Sequence, residues 1–487
     1  MSVPLDQIPA PHDAAQLTLV DQLVQWGRRR IDERVFRPGM RMPSIRKLAL
    51  DKGVSRFTVV EAYERLVAHG YLDSRRGSGF YVRERVTPTL VAKGEASTVT
   101  PEREPVQNTI DVVWLLRNML HTSTPEKGPG LGYLPGRWLD GELITNALRA
   151  LSRQSGAQML GFGTPQGFLP LRQQLQTRLE ELEIGASAAR QIVLVSGITQ
   201  AIDLISRLYV KPGDAVIVGD PAWFQMFGRF ASQGARLVGM PYTPEGPDLD
   251  ALETLVATWR PKMLIINSVL QNPTGTSLTA AQAFRILQLA QEYDFIVVED
   301  DVYGDLCPAG FPATRLASLD QLKRVIFLGS FSKTLAANLR VGYIAAAPEV
   351  AKALADQKML VGMTSPEINE RVVYKVLTEG HYRRHVERLR ARLDGVRDKT
   401  ARMLEKTGLR LFATPAAGMF LWADAGIDSD GLAAAGHEAG FLLTPGSLFS
   451  PHQSPTTWMR FNIANCGDPA LSGFLSNCLE KAARRSA

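Results

Sequence analysis

Five short apolar runs recur through the middle of the chain, each followed by a segment long enough to form a helix. Each run has four apolar residues and no polar alternation, which is typical of a strand buried on both faces. Strands that alternate with helix-length segments predict βα units and a mostly parallel sheet. The five runs are residues 192–195, 215–218, 263–266, 295–298 and 325–328.

A lysine follows the last of these runs in an unusual setting. Lys333 stands in the segment Ser330-Phe-Ser332-Lys-Thr, and Arg340 follows seven residues later. Open α/β sheets bind ligands at the carboxyl ends of their strands. A lysine there can form a Schiff base with an aldehyde cofactor, while the hydroxyl groups and the arginine hold the phosphate of that cofactor.

Side chains at the other strand ends suit the same cofactor. Asp300 ends a predicted strand and can pair with a protonated pyridine nitrogen, which keeps the ring electron-poor. Tyr303 and Asn272 can donate hydrogen bonds to the phenolic oxygen of the ring. Trp223 offers a flat face on which the ring can stack. The pattern therefore predicts a pyridoxal-type site.

Anion-binding groups complete the predicted site. Gly197, Ile198 and Thr199 link a strand to a helix, so that free N–H groups and the Thr199 hydroxyl can bind a phosphate. Arg460, near the end of the chain, can pair bidentately with the carboxylate of a substrate or effector. The glycine cluster at residues 128–132 has no strand before it, so we expect no dinucleotide site there.

The N-terminal part carries the positive charge of the protein. The net charge is +6, yet residues 20–85 alone contain 15 Lys or Arg against 8 Asp or Glu. Three helical patterns and a hairpin with a basic tip predict a winged helix-turn-helix DNA-binding domain over residues 15–85. Residues 86–108 lack periodicity and are predicted to be a linker.

The predicted DNA contacts lie on three elements of this domain. An arginine at the start of a recognition helix can pair with a guanine edge, and a threonine can contact a phosphate or a thymine methyl group. Arginines in the wing can reach the phosphate backbone or the minor groove. The candidates are Arg46 in the second helix, Arg56 and Thr58 in the third, and Arg75 and Arg76 in the wing. We expect the partner to be double-stranded DNA.

The cysteines and the apolar runs of the chain indicate the cellular compartment in which we expect the protein. Cys307, Cys466 and Cys478 are far apart and not in metal-ligand spacing, which favours a reducing cytoplasm and no metal site. No apolar run approaches the roughly 18 residues of a membrane span, and the N-terminus does not look like a signal peptide. We expect a cytoplasmic protein that associates with the nucleoid through DNA.

The N-terminal domain resembles the GntR family of bacterial transcription regulators. This resemblance implies DNA contacts by Arg46, Arg56 and Thr58, with Gly77 as the wing glycine. Val60 departs from the pattern, since some members of the wider family have a DNA-contacting arginine there, so we expect a narrower base readout. The resemblance is carried by residues 41–46, 54–63 and 77–82.

The remainder, residues 109–487, resembles the fold-type-I aminotransferases. The resemblance implies an α/β large part over about 165–345 and a smaller α+β part over about 346–487. It implies pyridoxal 5'-phosphate as cofactor, with Lys333 as its covalent, catalytic lysine and Arg460 as the carboxylate partner. Asp300 would hold the pyridine nitrogen, and Ser330, Arg340, Ile198 and Thr199 the phosphate. Further matching segments are residues 160–167, 418–422 and 445–449.

Two positions depart from the aminotransferase pattern. Phe162 stands where a tyrosine commonly reaches the phosphate of the neighbouring subunit, and a phenylalanine cannot make that hydrogen bond. Trp223 replaces a more usual tyrosine, which keeps ring stacking but alters the pocket.

A GntR-like domain followed by an aminotransferase-like domain resembles the MocR subgroup of regulators. This implies a homodimeric, pyridoxal phosphate-dependent transcription regulator that senses an amino compound. Two alternatives stay open. In the first, the chain is a working aminotransferase (a transaminase) that carries a DNA-binding domain. In the second, it is a regulator that senses pyridoxal phosphate itself. The intact basic domain favours a regulator over an enzyme, with residual transamination as a side activity.

Overall fold

The computed structural model describes residues 18–33, 35–75, 77–83, 112–121, 127–153 and 160–486. The chain divides into two compact units, Met1–Pro105 and Val106–Ala487. None of the helices in the described ranges combines the length and the apolar composition that crossing a membrane would require.

The first unit contains three helices and a hairpin. Ser44 and Ser55 cap the second and third helices by accepting hydrogen bonds from the N–H groups of Lys47 and Thr58. Side chains such as Leu48 and Tyr63 fill a small core between them. These caps and this core fix the helix-turn-helix geometry. The elements are α1 (Leu19–Asp32), α2 (Ile45–Lys52), α3 (Arg56–Ala68), β1 (Leu72–Arg75) and β2 (Gly79–Val82).

An eight-stranded sheet forms the centre of the second unit. Its strands are β3 (Ile192–Val195), β4 (Ala215–Asp220), β5 (Arg236–Thr243), β6 (Gly246–Pro247), β7 (Met263–Ile266), β8 (Ile296–Asp300), β9 (Val325–Ser330) and β10 (Gly342–Ala345). The spatial order is β3-β10-β9-β8-β7-β4-β5-β6. Strands β9, β8, β7, β4 and β5 pair in parallel, whereas β10 is antiparallel to both of its neighbours. The prediction of a mostly parallel sheet is confirmed.

Helices cover both faces of this sheet. Successive strand residues such as Leu194 and Val195 pack into two different hydrophobic clusters, as expected for strands buried on both sides. The helices before and between the strands are α4 (Val112–His121), α5 (Gly141–Ser152), α6 (Leu169–Glu180), α7 (Ile198–Tyr209), α8 (Gln225–Ala231), α9 (Leu249–Trp259), α10 (Ala280–Glu292) and α11 (Leu316–Asp320). After β10 follow α12 (Pro348–Gly362) and α13 (Glu367–Thr378).

The last part of the chain is a smaller α+β arrangement, as predicted. A long helix, α14 (His381–Lys406), leads into an antiparallel sheet of order β11-β12-β14-β13. Its strands are β11 (Arg410–Leu411), β12 (Phe420–Asp424), β13 (Thr444–Pro445) and β14 (Trp458–Asn462), with helices α15 (Ser429–Glu438) and α16 (Pro469–Ser486).

Candidate functional site

The predicted cofactor residues gather at the carboxyl ends of the large sheet. Asp300 is the last residue of β8 and Ser330 the last residue of β9. Gly197 follows β3, Trp223 follows β4 and Asn272 follows β7. Five strands thus contribute to one edge of the sheet, where ligands bind in open α/β folds.

The amine of Lys333 lies inside this group. Its Nζ donates a hydrogen bond to the carbonyl of Gly132 at 2.7 Å and lies 5.9 Å from the ring centroid of Tyr303. Desolvation lowers the pKa of Lys333 to about 8, and the positive charge of Arg460 acts in the same direction. About a tenth of this amine is therefore neutral, and nucleophilic, at pH 7.

Asp300 is a buried carboxylate. Its Oδ1 accepts a hydrogen bond from the Val302 N–H at 3.1 Å. The backbone carbonyl of Asp300 accepts a hydrogen bond from Asn267 Nδ2 at 2.7 Å. Burial raises the pKa of Asp300 to about 6. Asp300 and the half-buried Trp223 line the same small cavity. The carboxylate can thus meet a cationic ring nitrogen beside a flat aromatic face.

Asn272, Tyr303 and Arg460 form a buried polar chain. Asn272 Nδ2 donates to the Tyr303 hydroxyl at 3.2 Å, and Arg460 Nη1 donates to Asn272 Oδ1 at 3.0 Å. The guanidinium of Arg460 lies 4.6 Å from the ring centroid of Phe420 and 4.9 Å from that of Phe449. Burial lowers the pKa of Arg460 to about 10, so the side chain remains a cation at neutral pH.

An anion cradle lies at the start of α7. Gly197 precedes the helix with φ +81° and ψ 167°, and no side chain caps the first N–H groups, which belong to Ile198 and the exposed Thr199. The guanidinium of Arg340 packs against Gly197 and donates to the Ser196 carbonyl at 3.1 Å. These groups form a natural phosphate site.

The hydroxyl groups of the lysine loop are linked to each other. Ser330 Oγ donates to Ser332 Oγ at 3.0 Å and accepts from the Ser332 N–H at 3.2 Å. Ser330 is buried and Ser332 is half-buried. Both hydroxyl groups are therefore held in one place at the end of β9, beside the lysine.

A glycine-rich segment that the sequence analysis set aside contacts this site. We call residues 127–134 the strap. The Gly130 carbonyl accepts from Arg460 Nη2 at 2.6 Å, and the Gly132 carbonyl accepts from Lys333, as described above. Backbone hydrogen bonds join Gly130 to Leu442 and Pro129 to Asn462. The glycines were the only signal in the sequence, because backbone carbonyls leave no residue signature.

The first unit presents an exposed basic surface. Arg56 is the first residue of α3 and Arg46 the second of α2, and both are exposed. The Thr58 hydroxyl lies 2.8 Å from Ser55 Oγ, within the cap of α3. Phe57, which the sequence analysis did not select, exposes 77% of its surface next to Arg56. This apolar ring is therefore open to solvent beside a basic residue.

The wing adds one further cation among the described residues. The Arg75 guanidinium lies 4.4 Å from the ring centroid of Tyr81 across the hairpin. Gly77 has φ +74° in the turn, which glycine adopts without strain. The other predicted wing residue, Arg76, lies outside the described residues.

Comparison with known protein families matches both units. The family of aminotransferases of class I and II matches residues 136–475, and the gntR family of bacterial regulatory proteins matches residues 19–82. The chain belongs to the aminotransferase class I and II family. Its GntR-type domain, fused in front, gives this aminotransferase-family chain the architecture of MocR regulators.

Individual relatives fall into two groups. The uncharacterized HTH-type transcriptional regulator YdfD of Bacillus subtilis is 30% identical, over 82% of this chain and 83% of that protein. Aromatic-amino-acid aminotransferase 1 of Thermococcus litoralis is 31% identical, over 66% of this chain and 79% of that protein. Since the regulator matches across both units, this MocR-type chain is a DNA-binding transcription regulator.

A solved aminotransferase shares the fold. The kynurenine aminotransferase of Pyrococcus horikoshii, solved in complex with PMP, superimposes with a TM-score of 0.70 at 27% identity, covering 78% of this chain and 96% of that chain. Pyridoxal phosphate is the cofactor of this family. The buried carboxylate of Asp300 and the uncapped start of α7 fit its ring nitrogen and its phosphate.

Proposed function

We propose that this regulator binds an amino compound at its pyridoxal phosphate site and that this binding changes its affinity for DNA. The observation that carries the proposal is the strap, because its carbonyls occupy both Arg460 and Lys333. They mark where an amino acid would bind: its carboxylate would pair with Arg460, and its amine would meet the cofactor beside Lys333.

Each cofactor residue has a distinct task in this proposal. Lys333 supplies the amine that holds the cofactor covalently, and Asp300 pairs with the ring nitrogen. Asn272 and Tyr303 donate to the phenolic oxygen, and Trp223 stacks on the ring. The phosphate is held by Ser330, Ser332, Arg340 and the cradle of Gly197, Ile198 and Thr199. The bound cofactor supplies an aldehyde carbon that accepts amines and a ring that withdraws electrons.

The carboxylate of the effector competes with a backbone carbonyl. Arg460 now donates to the Gly130 carbonyl, and a carboxylate is a stronger acceptor for a guanidinium than a neutral carbonyl. The Gly130 carbonyl would keep its hydrogen bond from Thr444 Oγ1 at 2.7 Å, so the loss of the Arg460 bond would loosen the strap at this point without freeing it. Along the chain, α4 is the only described element between β2 of the DNA-binding domain and the strap. A ligand that has different affinities for the two states of the strap would thereby change the affinity of the regulator for DNA.

The regulator acts as a homodimer in our proposal. Six apolar side chains are exposed within residues 160–162 and 360–368, and two of them, Phe162 and Ile368, line one groove. Exposed apolar surface of this kind is typical of an interaction site. We infer that a second copy covers it, which lets two DNA-binding domains contact two half-sites. The six residues are Leu160, Phe162, Leu360, Val361, Met363 and Ile368.

The DNA contacts that we propose combine charge with one apolar group. The polar and charged contacts come from Arg46, Arg56, Thr58, Arg75 and Arg76. Gly77 belongs to the set as the wing glycine. Phe57 adds an exposed ring at the start of the recognition helix, where apolar groups contact thymine methyls. We therefore expect a thymine near the base that Arg56 contacts.

The decisive experiment measures DNA affinity against ligand. Duplexes selected from a random pool are titrated with the cofactor-loaded protein by fluorescence anisotropy, with each proteinogenic amino acid in turn. We expect at least one amino acid to change the affinity about fivefold or more. The matched variants Lys333→Ala and Arg460→Ala should lose this response.

Other outcomes separate the alternatives. If pyridoxal phosphate alone changes the DNA affinity and no amine does, the regulator senses the cofactor. If a keto acid acceptor yields steady product while the DNA affinity stays constant, the chain acts as an aminotransferase. Equal DNA affinity under all conditions would refute sensing at this site altogether.

A further inference from the structure

A second cavity lies beside the cofactor site, and apart from Ser330 its lining residues have no task in the proposed function. Its volume is about 600 Å³, within the range of small-molecule sites. The neighbouring residues Asp300 and Asp301 belong to different places. Asp300 interacts with Lys333, whereas Asp301 lines the second cavity and interacts with Arg315 and Asp305. The cavity is formed by α6, the segment after β8, the end of β9 and the start of α14.

One buried oxygen in this cavity lacks a donor. Asp301 is only 9% exposed, and its Oδ2 accepts from Arg315 Nε at 3.1 Å. Its Oδ1 is buried and has no hydrogen-bond partner among the described residues. Gly304 packs against this carboxylate so closely that a Cβ there would collide with it. Because buried carboxylate oxygens are normally paired, Oδ1 keeps unused capacity to accept a hydrogen bond.

A second wall of the cavity is basic. Arg178 Nη2 donates to Asp305 Oδ1 at 2.6 Å, and Arg390 Nε donates to the Asp305 backbone carbonyl at 2.9 Å. Each contact uses one nitrogen of a guanidinium that has further N–H groups. The lining holds four arginines, Arg178, Arg315, Arg383 and Arg390, against the acids Glu181, Asp301 and Asp305.

These groups specify a class of ligand. The unpartnered oxygen of Asp301 can accept from a donor such as an ammonium group. The lining arginines outnumber the lining acids and can therefore pair with carboxylates. In the described part of the chain, no three acidic, histidine or cysteine side chains are arranged to hold a metal ion. We propose that this cavity is a second ligand site, which binds a dicarboxylic amino acid with its ammonium group at Asp301 and its carboxylates at Arg178 and Arg390.

A chain of hydrogen bonds connects this site to the cofactor lysine. The Tyr382 hydroxyl donates to Asp305 Oδ2 at 2.5 Å and lies 2.6 Å from Thr334 Oγ1, which donates to it in turn. Thr334 is fully buried and follows Lys333 directly. A carboxylate that draws Arg178 away from Asp305 therefore alters the hydrogen bonds of Asp305 and Tyr382 that hold Thr334, next to Lys333. This consequence rests on the proposed function, whereas the binding itself does not.

The test uses calorimetric titration of the full-length Lys333→Ala chain, without cofactor, with L-glutamate. Thr177 is exposed on α6 and lines the cavity, so Thr177→Trp fills the cavity from its outer wall. Gln173→Trp, on the same helix but not in the lining, is the matched control. We expect Thr177→Trp and Asp301→Asn each to weaken glutamate binding about tenfold or more, and Gln173→Trp to leave it unchanged.

Two further measurements separate this site from the cofactor site. Arg460→Ala should leave a glutamate-binding event that Thr177→Trp removes, because Arg460 does not line the cavity. Glutarate, which lacks the amine, should bind about tenfold more weakly than glutamate. The proposal is refuted if no heat is seen up to about 10 mM glutamate, if Arg460→Ala rather than Thr177→Trp abolishes binding, or if glutarate binds as tightly as glutamate. Loss of sensing at the cofactor site would not alter these results.

Discussion

Replacing Gly197 with alanine tests the phosphate cradle directly. The residue has φ +81° and ψ 167°, a backbone region that is almost exclusive to glycine and costs about 1–3 kcal/mol for other residues. A Cβ there would also lie 2.8 Å from Cζ of Arg340, well inside normal contact distance. Arg340 must therefore move away from Gly197 and from the Ser196 carbonyl that it contacts.

The consequence for the cofactor follows from the displaced arginine. A hydrogen bond to a charged group contributes about 1.5–3 kcal/mol, and every 1.4 kcal/mol is a factor of ten in affinity. We therefore expect Gly197→Ala to weaken pyridoxal phosphate binding about 10- to 100-fold. The free energy of unfolding should fall by about 1–3 kcal/mol as well, since the strain is present without the cofactor.

Gly213 provides the control for backbone strain. It also has a positive φ, +90°, but a Cβ there would meet nothing within 4 Å. Gly213→Ala should lose stability and keep its cofactor affinity. Both variants are compared by fluorescence titration with pyridoxal phosphate and by denaturant unfolding of the cofactor-free protein. Equal cofactor affinity of the two variants would show that Arg340 and Gly197 do not hold the phosphate.

Three shorter predictions concern other parts of the chain. Arg56→Ala should weaken binding to a selected duplex about 10- to 100-fold in fluorescence anisotropy, whereas Arg29→Ala, on α1 and paired with Glu33, should not. Covalent capture of pyridoxal phosphate, followed by visible absorbance, should accelerate about tenfold per pH unit below pH 8 and level off above it, because only the neutral amine of Lys333 reacts and its pKa is about 8. Leu360→Asp should dissociate the homodimer in sedimentation analysis, while Phe284→Asp, at an exposed site on α10, should leave it intact.

Local signals in the sequence predicted much of this fold. The apolar runs depend on neighbouring residues only, and their strands are found within about two residues of the predicted positions. The position of β10 could not be predicted in the same way. This strand has only four residues, and it pairs both with the nearby β9 and with β3, well over a hundred residues earlier in the chain.

The same distinction applies to the sites. Lys333, Asp300 and Asn272 stand in motifs whose chemistry can be read from the order of residues. The strap contacts these groups through carbonyl oxygens, which every residue has. The second cavity joins Asp301, next to a motif residue, to side chains from α6 and α14 that stand in no motif. Its arginines resemble the solvent-exposed face of a helix until the tertiary contacts are known.

The two contacts of the strap have a consequence for the choice of effector. An amine without a carboxylate can react at the cofactor beside Lys333, yet it leaves the hydrogen bond between Arg460 and Gly130 in place. A carboxylate without an amine can pair with Arg460 but cannot react at the cofactor. Only a compound with both groups engages both positions, whose strap partners Gly130 and Gly132 are two residues apart on one backbone. Because charged acceptors bind a guanidinium more strongly than carbonyls do, the exchange of the Gly130 carbonyl for a carboxylate at Arg460 is favourable. A site built in this way responds to amino acids and ignores simple amines, which is the discrimination that an amino acid sensor requires.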